Sequence, residues 1–265
     1  MIELRGVIAG YGGGDVLQGI DLSVERGSIT CIVGPNGAGK STVLRVISGL
    51  LRPRAGAVTL DGEAITGRST PDIIRAGIVQ VPQAGGLFGD LTVHENMLVG
   101  GHVLRRDKKR VKRRIAELAE AFPIIGERSG DKAGDLSGGQ RRIVEFARAL
   151  ITEPRVVLLD EPTLGLDPRA SATVFDTTQM VQRLGATVLM VEQNVRFGLK
   201  LADHGVVMER GRVILADSAE ALLARPDMSA LFFGSTPHAG GANGRVDAPV
   251  RSSDVQKSGS AGRPT

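Results

Sequence analysis

The 265-residue chain reads as an α/β protein, with a mostly parallel sheet, an antiparallel β subdomain before it and an inserted helical subdomain within it. Three observations predict this. Short runs of β-branched and large apolar residues at 28–33, 156–159 and 187–191 lack polar alternation, as strands covered on both faces do. Helical stretches separate them: one after Lys40, one over roughly 108–121, and one over 140–150 with Ile143, Phe146, Ala147 and Leu150 on one side. Ahead of all of these, residues 1 to about 26 suggest short strands joined by a glycine-rich turn, YGGGD, the pattern of antiparallel structure.

The elements divide the chain. Residues from about 84 to 150 are mostly helical and lie between two core strands, so they form the inserted subdomain. After Gly234 the sequence turns to Gly, Ser, Ala, Pro and Arg without apolar periodicity. Too little surface can be buried there to offset chain entropy, so 1–234 is expected to be the folded domain and 235–265 a disordered tail. No internal repeat is present.

Composition excludes some classes of function. At 42% apolar residues the chain can bury a core. No apolar run approaches the roughly 18 to 20 residues of a spanning helix, and MIELRGVIAG lacks the features of a secretory leader, which predicts a cytosolic protein. Cys31, the single cysteine, sits in the apolar run SITCIVG and reads as a small core residue. Of the net charge of +4, much is local: RRDKKRVKRR, residues 105–114, holds eight basic residues, and a helix carrying it is expected to be basic nearly all round. A solvated surface, a face near anionic lipid and a nucleic-acid contact are the three readings of such a run. Tyr11 and the seven phenylalanines do not interleave with it, which argues against base stacking.

GPNGAGKST, residues 34–42, follows the strand-like SITCIV and opens a helix, the context of a glycine-rich phosphate loop. Gly34, Gly37 and Gly39 let the backbone turn its N–H groups inward, with Pro35, Asn36 and Ala38 completing the loop, and the helix amino terminus adds partial positive charge. Lys40 is placed to reach the β and γ phosphates, Ser41 to hold Mg²⁺ through its hydroxyl, and Thr42 to edge the cradle. The ligand expected is a nucleoside triphosphate, which the family resemblance given below makes ATP.

RVVLLDEPT, residues 155–163, is an apolar strand ending in two acids. Adjacent strand residues point to opposite faces, but the chain leaves the sheet here, so Asp160 and Glu161 can reach one crevice. Asp160 suits the Mg²⁺ shell. Glu161 suits orientation of, and proton uptake from, an attacking water, a role contributing about 10² to 10⁴ in rate.

DLSGGQRR, residues 135–142, starts a helix with a serine and two glycines, a second amino terminus suited to phosphate. One chain thus offers two phosphate sites and one magnesium carboxylate set. With LSGGQ at 136–140, GPNGAGKST, VVLLDEPTLGLDP and the VPQ at 81–83, residues 1 to about 233 resemble the ATP-binding cassette (ABC) ATPases, a P-loop NTPase family. The resemblance implies two copies packed head to tail, identical or paired with a second cassette. Ser137 and Gly139, with Gly138 and Gln140 in the same turn, then cap the γ-phosphate held by Lys40 of the other copy. It also implies transmembrane permease partners, a peripheral position at the cytoplasmic face of the cell membrane, and no nucleic-acid partner. Tyr11 matches the aromatic residue that stacks on adenine, the alternative being a packing tyrosine at a strand end. Gln83 matches a glutamine that touches Mg²⁺ and water and senses the membrane partner. Asp167 matches an aspartate linking the two sites across the dimer.

TVLMVEQN, residues 187–194, delivers Gln193 where this family usually has a histidine that contacts the γ-phosphate. A glutamine amide donates a hydrogen bond but carries no charge and shuttles no proton. Where that histidine is charged, its replacement costs about 1 to 2 kcal/mol, near tenfold in rate, which slows an ATPase without stopping it. The remaining histidines, His94, His102, His204 and His238, have no motif spacing and read as surface or loop residues. Glu192–Asn194, LTVHENMLVGGHVLRRD and KLADHGVVMERGRVILADSAEALLA are similar to the ATPases of branched-chain amino acid importers and their amide and urea relatives. Other importers, lipid or polysaccharide exporters and soluble ABC ATPases acting on ribosomes or DNA are the competing classes. A single cassette, and a Lys40–Leu136 gap too short for a long coiled coil, argue against the last.

Overall fold

The computed structural model describes residues 1–83 and 85–225. β1 (Ile2–Ala9) pairs antiparallel with β2 (Leu17–Val24) across the YGGGD turn. β3 (Ile29–Val33) runs into the glycine loop, and α1 (Lys40–Ile47) opens after it. β4 (Ala55–Leu60) then pairs with the other edge of β1 and carries the short β5 (Glu63–Ala64). The result is a four-stranded antiparallel sheet in the order β2-β1-β4-β5.

α2 (Thr70–Arg75) leads into β6 (Ile78–Val81). The helical insertion follows as α3 (Val93–Gly100), α4 (Lys108–Ala121), α5 (Ile124–Glu127) and α6 (Gly138–Leu150). Thereafter strands and helices alternate: β7 (Val156–Asp160), α7 (Pro168–Arg183), β8 (Thr187–Glu192), α8 (Val195–Leu201), β9 (His204–Glu209), β10 (Arg212–Ser218) and α9 (Ala219–Leu223). The second sheet has the order β10-β9-β3-β8-β7-β6, parallel throughout except for the edge strand β10. The predicted α/β architecture is therefore the observed one.

The uninterrupted apolar runs have a physical cause. Each central strand feeds two cores, so neither of its faces is free for polar residues. Ile29, Cys31 and Val33 of β3, Val157 and Leu159 of β7, and Val188 and Met190 of β8 pack with the helical insertion, α7 and α8. Ile32, Val156, Leu158, Leu189 and Val191 face the antiparallel sheet and α1. Cys31 is buried and free, as a core residue.

Several expectations need correction. β6 and β9 carry no separate signal in the sequence reading, yet they complete the parallel sheet. His204, read as a surface or loop residue, opens β9 opposite Thr30 and keeps its side chain partly exposed, so it belongs to a strand at the surface and not to a loop. α6 buries Arg142, Val144 and Glu145 besides Phe146, Ala147 and Leu150, while Ile143 is only partly covered. α4 is not basic all round: Val111, Ile115 and Leu118 are buried, and Arg105 and Arg106 precede the helix, whose amino end Asp107 caps. The expected tail at 235–265, and His238 with it, lie outside the described residues.

A buried guanidinium joins the helical insertion to the sheet. Arg142 of α6 donates to the carbonyl of Pro82 at 3.1 Å and of Gln83 at 2.5 Å, beyond β6, and to that of Pro162 at 3.1 Å, beyond β7. Its charge is matched by Glu145 at 2.6 Å, with both side chains almost wholly enclosed. Removing one member of such a pair leaves a buried charge uncompensated. Arg142→Ala is expected to cost about 3 to 5 kcal/mol in urea unfolding, and the Arg142→Met/Glu145→Met pair far less. Equal losses in the two variants would show that the charge pair is not what holds the junction.

Candidate functional site

Register brings the motifs together. In the parallel sheet Val33 lies opposite Glu192, and Asp160 opposite Val191. Val81 pairs with Leu159 on the far side of β7. The carboxyl ends of β3, β8, β7 and β6 therefore open on one edge, and the segments leaving them, from Gly34, Gln193, Glu161 and Pro82, border one crevice. Such an edge is where α/β sheets bind ligands.

The glycine loop closes tightly over β3 and β9. A Cβ on Gly34 would stand 2.2 Å from the Met208 carbonyl oxygen, a contact no side chain tolerates. Gly39, with φ of 99° and Leu17 2.8 Å from where its Cβ would be, is the left-handed residue from which α1 starts. Gly37 also has positive φ, and Ala38 N–H donates to the Pro35 carbonyl. The first N–H groups of α1, from Lys40 to Thr42, accordingly meet the loop's concavity without intrahelical acceptors. Lys40 is buried, its ammonium held by the carbonyls of Gly34 at 2.9 Å and Pro35 at 3.2 Å. Desolvation lowers its pKa, opposed by Glu161 and Asp160. A polyanion entering the loop would supply the counter-charge that burial removed.

Both acids of RVVLLDEPT face this ammonium's side of the crevice. Asp160 Oδ1 accepts a 2.8 Å hydrogen bond from Ser41 Oγ. Glu161 comes within 4.0 Å of Lys40 Nζ because its φ is +44°, a left-handed conformation uncommon for a residue with a side chain. That twist defeats the strand alternation that would otherwise send neighbouring acids to opposite faces. Glu161 Oε2 also accepts from Gln83 Nε2 at 3.0 Å, so the loop after β6 and the loop after β7 meet at this carboxylate.

Other predicted residues are placed nearby or apart. Gln193 is exposed at the tip of β8, its backbone N–H bonded to Glu192 at 3.2 Å. Tyr11 is half exposed; its hydroxyl accepts from Arg45 at 2.8 Å, and the guanidinium lies 5.7 Å from its ring centre. Ser137 and Gln140 form a reciprocal capping box at the start of α6, where Gly138 faces Leu166 and Gly139 faces Ala170 and Thr173. The LSGGQ turn thus packs on the start of α7. Asp167 caps α7 by accepting from Arg169 and Ala170 N–H.

The donor set fits the cofactors the motifs imply. A ring of backbone N–H groups over a buried lysine suits a nucleoside triphosphate. A serine hydroxyl and a carboxylate at hydrogen-bond distance, with the Gln83 amide adjoining through Glu161, are hard oxygen donors suited to Mg²⁺. This ion takes few protein ligands and keeps phosphate and water for the rest. No cluster of three or more His, Cys, Asp or Glu side chains suited to a metal occurs among the described residues.

Comparison with known proteins shows the family. The family described as ABC transporter matches residues 17–164. The chain is 36% identical over 234 residues to the high-affinity branched-chain amino acid transport ATP-binding protein BraG of Pseudomonas aeruginosa, covering 88% of this chain and all of that one. It is 37% identical over 227 residues to the probable branched-chain amino acid transport ATP-binding protein LivF of Archaeoglobus fulgidus, covering 85% of this chain and 95% of the relative. Relatives with export or methionine-import names share comparable identity over a smaller part of their own length. Among solved structures, an ATP-binding cassette of an ABC transporter in its ADP conformation is 29% identical with a TM-score of 0.79, covering 88% of this chain and 98% of that one. A dimeric bacterial ABC transporter cassette is 25% identical with a TM-score of 0.70, covering 83% of this chain and 99% of that one.

Two residues that motif reading passes over shape the crevice. Arg142 ties its two loops together from below. Glu192 ties the tip of β8 to the loop after β7: its Oε1 accepts from Thr163 Oγ1 at 2.7 Å and Thr163 N–H at 3.1 Å, and its Oε2 accepts from Gln193 N–H. A buried acid closing an apolar strand was the available signal. Burial raises the Glu192 pKa, and the bonds from Thr163, Asn194 and Gln193 offset this only in part. An acid raised on folding contributes stability that is full below its unfolded pKa and is lost as pH rises through the folded value. In urea unfolding, wild type is therefore expected to lose stability relative to Glu192→Gln as pH rises from about 4.5 towards neutrality. A difference independent of pH would remove this assignment.

Proposed function

The chain belongs to the ABC transporter family of ATPases, and from that premise we propose that it is the ATP-hydrolysing subunit of an importer of branched-chain amino acids or related amides. The observation that carries the enzymatic part is the meeting of Lys40, Ser41, Asp160, Glu161 and Gln83 at one edge of the sheet. Two relatives of which the chain spans nearly the whole length carry branched-chain amino acid names, and this supports the cargo.

In this reading the loop at 34–42 and Lys40 bind the phosphates of ATP, and Tyr11 lies against the adenine once Arg45 gives up part of its ring. Ser41, Asp160 and Gln83 would hold Mg²⁺, which would supply neutralisation of charge on the phosphate oxygens. Glu161 orients the attacking water and takes its proton, and Gln193 donates a neutral hydrogen bond at the γ-phosphate position. Because Gln83 holds Glu161, movement of the loop after β6 changes the position of the catalytic carboxylate.

That loop borders a hollow of about 560 Å³ between the sheet and the insertion. Its apolar walls include Leu50, Ile74, Val79, Phe88, Val99 and Val103, and Leu50, Phe88 and Val99 are exposed at its mouth. Apolar surface left open beside a catalytic loop suits a protein partner. We assign it to a cytoplasmic segment of the permease, which makes the protein peripheral to the membrane; no helix among the described residues is long and apolar enough to cross one.

Glu161→Gln is expected to bind ATP normally and to lower hydrolysis by about 10² to 10⁴. In proteoliposomes with its permeases and binding protein, wild type should drive uptake of labelled leucine and Glu161→Gln should not. Hydrolysis equal to wild type would end the role of Glu161, and hydrolysis without leucine uptake would end the cargo assignment. Head-to-tail assembly predicts complementation: Lys40→Ala and Ser137→Arg, each inactive alone, regain activity when mixed, because the mixed dimer holds one intact Lys40–Ser137 site. No recovery in dimers verified to be mixed would argue that each copy works alone.

A further inference from the structure

The basic run at 105–114 takes no part in the catalytic cleft, and the fold sorts its charges. On one side of α4, Arg110 is bonded to Glu153 at 2.5 Å, Arg114 is paired with Glu117 and Glu153, and Arg113 lies 3.3 Å from Glu117. On the other side Lys108 and Lys112, one turn apart, have no carboxylate within ion-pair distance among the described residues, and the same holds for Arg105, Arg106 and Lys109. Lys108, Lys112 and Arg105 rim a hollow of about 470 Å³ between α3 and α4. Its floor and walls are apolar, from Leu98, Val111 and Ile115, and His94 and His102 complete the rim. No acid lines it. The neighbouring Glu95 and Asp107 are engaged in capping α3 and α4.

Cations with no carboxylate partner, set around an apolar hollow, match a ligand with an anionic head and an apolar body. We propose that this edge of the insertion docks on anionic phospholipid, its headgroup phosphate meeting Lys108, Lys112 and Arg105 and its apolar part meeting Leu98, Val111 and Ile115. The inference rests on the permease-docking reading for bringing this edge to the bilayer. His102 lines both this hollow and the one assigned to the permease, and the exposed Leu98 and Val99 lie side by side on α3. One continuous surface therefore receives the permease and meets the lipid around it. Each unpaired cation near such a membrane adds to binding, with a strong dependence on salt.

Flotation of the full chain with vesicles tests this. Wild type is expected to float with phosphatidylcholine vesicles containing about one-third phosphatidylglycerol and not with phosphatidylcholine alone. Lys108→Glu/Lys112→Glu should weaken flotation at least tenfold, by about 1 kcal/mol or more. Leu98→Gln should abolish the fraction that survives about 0.5 M salt. Lys200→Glu/Arg183→Glu, with the same change in net charge elsewhere on the surface, should float like wild type. Three outcomes overturn the proposal: unchanged flotation of the Lys108/Lys112 variant, an equal loss in the control, or complete displacement of wild type by DNA at low salt, which would mark a general polyanion surface. Binding of the detergent-solubilised permease, measured on the same preparations, separates the readings. Permease binding without flotation defeats the lipid contact alone, and flotation without permease binding defeats the docking reading alone.

Discussion

Everything in this molecule depends on the parallel register of β3, β8, β7 and β6. Because Val33 sits beside Glu192 and Asp160 beside Val191, four chain segments far apart in sequence leave the sheet at the same edge. Parallel strands cannot be joined by tight turns, so the connections must be long. Here they carry much of the machinery: α1, β4, β5 and α2 between β3 and β6, and the helical insertion between β6 and β7. The buried strands serve two cores at once, which is why their sequences are almost wholly apolar.

Polar groups at the carboxyl edge are coupled through a few enclosed side chains. Arg142 reaches three backbone carbonyls on two loops, and its charge is balanced within its own helix by Glu145. Glu192 joins the next pair of loops through Thr163 and Gln193. Gln83 and Glu161 close the chain of contacts at the proposed catalytic carboxylate. A displacement of the loop after β6 is thus transmitted both to Glu161 and, through Arg142, to the helix that begins at Ser137. Under the proposed function, these contacts link the surface assigned to the permease with the reacting groups.

The two sides of α4 illustrate how a fold assigns roles to one kind of residue. Eight basic residues within ten positions look uniform in sequence. In three dimensions, three arginines neutralise acids of α4 and of the turn after α6, while two lysines stand open over an apolar hollow. The difference arises from helical phase and from the place of Glu153, which comes from more than thirty residues further on.

The sequence by itself determined the α/β class, the central strands and the motifs that carry chemistry, since each is a local pattern. An apolar run without alternation, glycines before a lysine, acids at a strand end and a serine capping a helix are all set by neighbours in the chain. Tertiary structure alone decided the remainder. Glu161 reaches Lys40 only through a left-handed backbone turn that residue type does not announce. β6 and β9 become core strands because neighbours distant in sequence complete their hydrogen bonds. Arg142 and Glu192 join the site because burial removes water and obliges every donor and acceptor to find a partner, and which partner is near is a property of packing.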